Sequence, residues 1–84
     1  MSGRVDEVIE VMRVAGGGVS FRWRGRVYTV AQVIGRSREA ADWWQGGREI
    51  RRYRVWASDG DSEGVFELST VIPSHEWRLV RVVD

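Results

Sequence analysis

The run Phe21-Arg22-Trp23-Arg24-Gly25-Arg26-Val27-Tyr28-Thr29-Val30 restricts the fold more than any other stretch, because two alternating segments meet there at an Arg-Gly pair. Side chains of period two occupy one pleated face, and a two-residue connection ending in glycine is the tightest link between antiparallel strands. The expected register sets Phe21 opposite Tyr28 and Val19 opposite Val30, with Arg22 and Thr29 turned to the other face. The same period returns in Glu49–Ser58, where Tyr53, Val55 and Ala57 alternate with Arg52, Arg54 and Trp56, again in Val65–Val71, and in Trp77–Val83. Fourteen valines against two leucines favour pleated, half-buried surfaces over a helical bundle. At 84 residues there is room for one core, so the expectation is a single all-β domain over residues 1–84: a small antiparallel sheet or barrel of five to six strands, SH3-like or similar.

The remaining segments fit that plan. In Val5–Val14 a helical face (Val5, Val8, Ile9, Met12) competes with strand alternation, and the strand is preferred; Gly16-Gly17-Gly18 then ends it as a flexible turn, since no GK[ST] follows to make a phosphate loop. The strand through Val30 continues to Val33 and Ile34 before Gly35 breaks or bends it. Ser37–Gln45 reads as a short helix or an irregular loop, with Ser37 as N-cap and Gly46-Gly47 as the stop, so at most one short helix is expected near residues 38–45. Asp59, Gly60, Asp61 and Gly64 build an acidic turn. Trp23, Tyr28, Val30, Tyr53, Val55, Phe66, Leu68 and Leu79 are the expected core.

Composition excludes much chemistry. The chain has no cysteine and a single histidine, His75, which removes disulfides, thiolate nucleophiles, Cys-ligated zinc and His-pair metal sites. Ser74, His75 and Glu76 are adjacent rather than spaced as a nucleophile and base, and Asp59-Gly60-Asp61-Ser62-Glu63 lacks the spacing of a calcium loop. No catalytic residues, metal or cofactor are therefore expected. Met1–Glu10 carries acids where a secretory leader would be basic and then apolar, and no run is long enough to span a bilayer, so a cytoplasmic chain without a membrane partner is expected.

Two binding readings remain. All thirteen basic residues are arginine, and twelve acids leave a net charge of +1, so a phosphate-binding surface must come from segregated charge. Arg52, Arg54 and Trp56 stand at i, i+2 and i+4 and share one strand face; with Arg22 and Arg24 they form a candidate surface for single-stranded DNA or RNA, arginines holding phosphates and Trp56 stacking a base. The competing reading of those arginines is a solvated face paired across strands with Glu49, Glu67 and Glu76. The alternative function is a protein–protein interaction module docking through Trp43, Trp44 and Arg48, residue types common at interface hot spots. Nothing in the sequence fixes the oligomeric state.

The order of motifs carries a resemblance. Phe21-Arg22-Trp23-Arg24-Gly25-Arg26-Val27-Tyr28, Glu39 with Trp43-Trp44, Tyr53-Arg54-Val55, Phe66-Glu67-Leu68, Trp77-Arg78-Leu79 and Val83-Asp84 together resemble an uncharacterised family of short bacterial proteins. The portion from Glu39 to Asp84 is similar to the C-terminal domain of ImuB-type proteins, inactive relatives of Y-family translesion polymerases that serve in mutasomes. An aromatic residue is expected before the final aspartate, where this chain has Val83. The resemblance brings no catalytic residues. It implies an accessory domain in DNA repair or damage tolerance, with a protein partner of mutasome type or DNA.

Overall fold

A computed structural model describes residues 3–40, 49–72 and 74–83. They form six strands: β1 (Gly3–Val14), β2 (Gly18–Trp23), β3 (Arg26–Ala40), β4 (Glu49–Ser58), β5 (Glu63–Ile72) and β6 (Glu76–Val83). Each strand pairs antiparallel with the next, and β6 returns to pair with β1, so the sheet closes into a barrel. Among the described residues no helix is long and apolar enough to cross a membrane.

The hairpin adopts the register its sequence dictates, Phe21 opposite Tyr28 and Trp23 opposite Arg26. Both turn residues are left-handed, Arg24 at φ 51° and Gly25 at φ 76°, a turn whose twist matches that of the strands it joins. Arg24 is held there by two contacts: its guanidinium lies 4.6 Å from the centre of the Trp23 ring and donates to Glu7 at 2.8 Å.

Inward-facing side chains fill the barrel in layers. Phe21, wholly buried, stacks on Tyr28 at 5.2 Å between ring centres and meets Phe66 edge-on at 5.4 Å, and Trp23 completes this aromatic plug at the hairpin end. Ile9, Val55, Leu68 and Leu79 form the middle of the core. At the other end Tyr53 and Trp77 face each other at 5.6 Å. Of the expected core, Tyr28, Val55, Phe66, Leu68 and Leu79 are buried, whereas Trp23, Val30 and Tyr53 are only partly covered. The reason is position: all three have the inward parity, but Trp23 closes one mouth of the barrel while Val30 and Tyr53 border an opening at the other.

The helix expectation is corrected over Ser37–Ala40, which belong to β3 and pair with Arg52–Glu49. Local capping preferences lose to this pairing, and two register shifts, between Val30 and Gln32 and between Val33 and Gly35, bend the strand without ending it. Residues 41–48, the rest of the expected helix, lie outside the described residues.

Asp59 organises the β4–β5 turn. Its Oδ1 accepts from the backbone N–H groups of Asp61 (2.9 Å) and Ser62 (2.8 Å), and its Oδ2 accepts from Arg26 at 2.9 Å. The Ser62 bond first, then Arg26 and the Asp61 bond, lower the carboxyl from 3.8 to about 2. A carboxyl depressed by folding stabilises the native state above its unfolded value and loses that contribution as pH falls through the folded one. Asp59→Asn keeps an acceptor oxygen but not the charge, so its urea midpoint should fall below that of the parent near neutral pH. The gap should close as pH drops from 3.8 towards 2; a gap that persists unchanged at pH 2 would remove the charge from this account.

Candidate nucleic-acid interface

Strand parity places Arg52, Arg54 and Trp56 on the outer face of β4, because Tyr53, Val55 and Ala57 point inward. Trp56 is 38% exposed. Arg54 is bonded to Glu67 on β5 at 2.9 Å, and Arg52 lies 3.5 Å from Glu39 on β3. These pairs are solvent-exposed and contribute little to stability, so a phosphate can replace either carboxylate at modest cost.

Arg22 and Arg24 do not join this row. In register Arg22 stands opposite Val27 of β3 and Arg54 opposite Gly35, so the long third strand separates them by about 25 Å along its axis at ~3.3 Å per residue. Arg24 is further committed to Glu7, whose carboxyl it holds below the usual value. Trp43, Trp44 and Arg48 lie outside the described residues.

The arginines that do accompany Arg52 come from the barrel's closing seam. Arg4 of β1 and Arg78 and Arg81 of β6 line, with Arg52, one outer groove of about 450 Å³ whose floor includes Ser69 and Val71. The carboxylates of Asp6 and Glu67 also reach it. Arg78 is engaged by Glu76 (3.1 Å) and Asp6 (3.5 Å). Arg4 and Arg81 are direct cross-strand partners and make no ion pair among the described residues. Like charges set opposite one another on adjacent strands repel, and an anion between them relieves that repulsion.

The sequence concealed this group for a physical reason. Arg78 and Arg81 are three apart, which on a regular strand sends them to opposite faces, but the register shift opposite Glu67/Leu68 absorbs Val80 and brings both into the same groove. On β1 ordinary alternation already turns Arg4 and Asp6 outward, and the irregularity between Arg4 and Glu7, where Asp6 takes φ 56°, is the other half of the bulged seam that faces Val80. Among the described residues no cluster of three or more acidic or imidazole side chains is placed to hold a metal.

These features define a small closed antiparallel barrel with an arginine-lined groove on its outer surface. The chain belongs to the family described as Domain of unknown function (DUF6504), whose model matches residues 1–84. No curated protein and no solved structure matches it.

Proposed function

We propose that this chain is a non-catalytic accessory domain that binds single-stranded DNA or RNA through its outer arginine groove, with Trp56 beyond Arg54 as a stacking platform. The observation that carries the reading is the opposition of Arg4 and Arg81 beside Arg52 and Arg78. Phosphate contacts carry no base information, so binding is sequence-independent, and the net charge of +1 supplies little long-range attraction. The resemblance to the C-terminal domain of ImuB-type mutasome proteins supports a setting in DNA repair or damage tolerance, in the cytoplasm, where other proteins supply the chemistry. The alternative, docking of a protein through Trp43, Trp44 and Arg48, draws its support from residue type alone.

Fluorescence anisotropy with a labelled thymidine oligonucleotide tests the reading. Binding should be measurable below roughly 100 μM protein at low salt, the range of non-specific nucleic-acid affinity. The Arg4→Ala/Arg81→Ala pair should flatten the dependence of log affinity on log salt by about 0.7 for each phosphate no longer neutralised, while Arg22→Ala leaves the slope unchanged. Absence of binding, or an unchanged slope in the seam variant, would assign the groove to ordinary solvated surface.

A further inference from the structure

The third strand is paired very unequally along its two edges. On the β4 side its partners run from Thr29 to Ala40, whereas β2 accompanies it only from Arg26 to Thr29. Among the described residues no other backbone group bonds to Val30–Ala40 from that side. An edge strand directs alternate N–H and C=O groups away from its sheet and so presents a ladder on which another strand can form. This edge also carries Val33 and Ile34, 39% and 45% exposed.

Below the edge the barrel opens into a cleft of about 510 Å³. Val11 and Val19 form its wall on the β1–β2 side, Val33 stands on the β3 side, and Tyr53 and Trp77 lie across from them. Thr70, which also lines it, is 3% exposed and its Oγ1 has no hydrogen-bond partner among the described residues. Arg13 and Arg51 line the cleft, and Arg36 and Arg38 line an adjoining recess with Arg51 and Tyr53, so the distal part of the opening is cationic. Arg13 and Arg36 make no ion pair among the described residues, and Arg38 and Arg51 share one carboxylate, Glu49, at 3.5 and 2.6 Å. Register explains the grouping: Arg36 is opposite Tyr53 and Arg38 opposite Arg51, both on the cleft side of β4.

We propose that this edge and cleft receive an extended, acidic segment of another protein. The segment adds to β3 as a strand, its cleft-facing side chains apolar beside Val33 and carboxylates beside Arg36 and Arg38. A ladder alone would accept any strand; the charge of the opening selects an acidic one and disfavours a second copy of the same cationic edge. This surface is separate from the arginine groove, and the proposal stands or falls independently of nucleic-acid binding.

The probe is a labelled peptide of sequence Glu-Thr-Glu-Thr-Val-Thr-Val-Thr, with a control in which lysine replaces glutamate. The acidic peptide should bind and slow amide exchange in Val30–Ala40, while the lysine peptide does neither. Arg36→Glu, at an exposed position, should leave the thermal midpoint unchanged and weaken the acidic peptide by at least about tenfold, since like charges across an interface are costly. The Arg36→Glu/Arg38→Glu variant should gain affinity for the lysine peptide. Equal binding of the two peptides, protection elsewhere in the barrel, or indifference to Arg36→Glu would overturn the proposal. So would a concentration-dependent dimer that protects the same edge without peptide, which would make a second copy the occupant.

Discussion

Replacing Phe66 by alanine should destabilise the barrel by about 3–5 kcal/mol. Phe66 is 5% exposed and its ring is the hub of the aromatic plug, 5.0 Å from Tyr28, 5.4 Å from Phe21 and 6.4 Å from Trp23 between centres. Truncation removes apolar area from the core and strips three rings of their shared neighbour. Because those rings are fixed by the hairpin register, they cannot easily collapse into the void. An 84-residue domain has a total stability of about 4–13 kcal/mol at 0.05–0.15 kcal/mol per residue, so this single change removes a large fraction of it. Urea unfolding followed by tryptophan fluorescence measures the loss. A value below about 0.5 kcal/mol, the scale of a surface substitution, would mean that β5 presents its other face to the interior.

Leu79→Ala should cost about 2–5 kcal/mol for a different reason. Leu79 is wholly buried on the strand that closes the barrel, paired with Leu68 of β5 on one side and Glu7 of β1 on the other. It sits where both seams change register, so its side chain anchors the alignment of three strands as well as filling space. The expected signature is a loss of stability accompanied by faster amide exchange in β1 and β6 than in β4 and β5. Leu79→Met, which keeps the volume, should cost less than about 1.5 kcal/mol. Equal losses from the two variants would show that branching at this position, rather than packed volume, holds the seam.

Strand period and turn chemistry made much of the fold legible. The pairing of Phe21 with Tyr28 followed from alternation on both sides of Arg24-Gly25, and the bounds of β4, Glu49 and Ser58, coincide with its alternating run. What escaped the sequence depended on stagger and irregularity. Ser37 and Gly46-Gly47 resemble helix boundaries because local signals do not register that β4 is available to pair with Ser37–Ala40. Arg22 and Arg54 share an outward parity, but parity says nothing about height, and their partners on β3, Val27 and Gly35, stand far apart along that strand. Arg4, Arg78 and Arg81 are not legible as a group, because a bulge at Val80 breaks the period that would separate Arg78 from Arg81, and Arg4 joins them only through the closure of β1 on β6. Alternation puts Phe21 on the inward face, but its complete burial depends on Phe66 of β5 meeting it edge-on, a contact between distant strands that no local pattern reports.

The closure between β1 and β6 has a mechanical consequence. Gly3 lies opposite Val82, and the pairing continues inward from there to Ile9 and Trp77. Tension applied through residues 3 and 82 would therefore pull on the two strands from the same end, loading their hydrogen bonds in succession rather than all at once. Such a seam peels like a zipper and yields at low force, whereas the same bonds pulled from opposite ends would resist together in shear. A pulling experiment with handles at positions 3 and 82 should thus open the barrel first along β1–β6, leaving the pairs of consecutive strands to unravel afterwards.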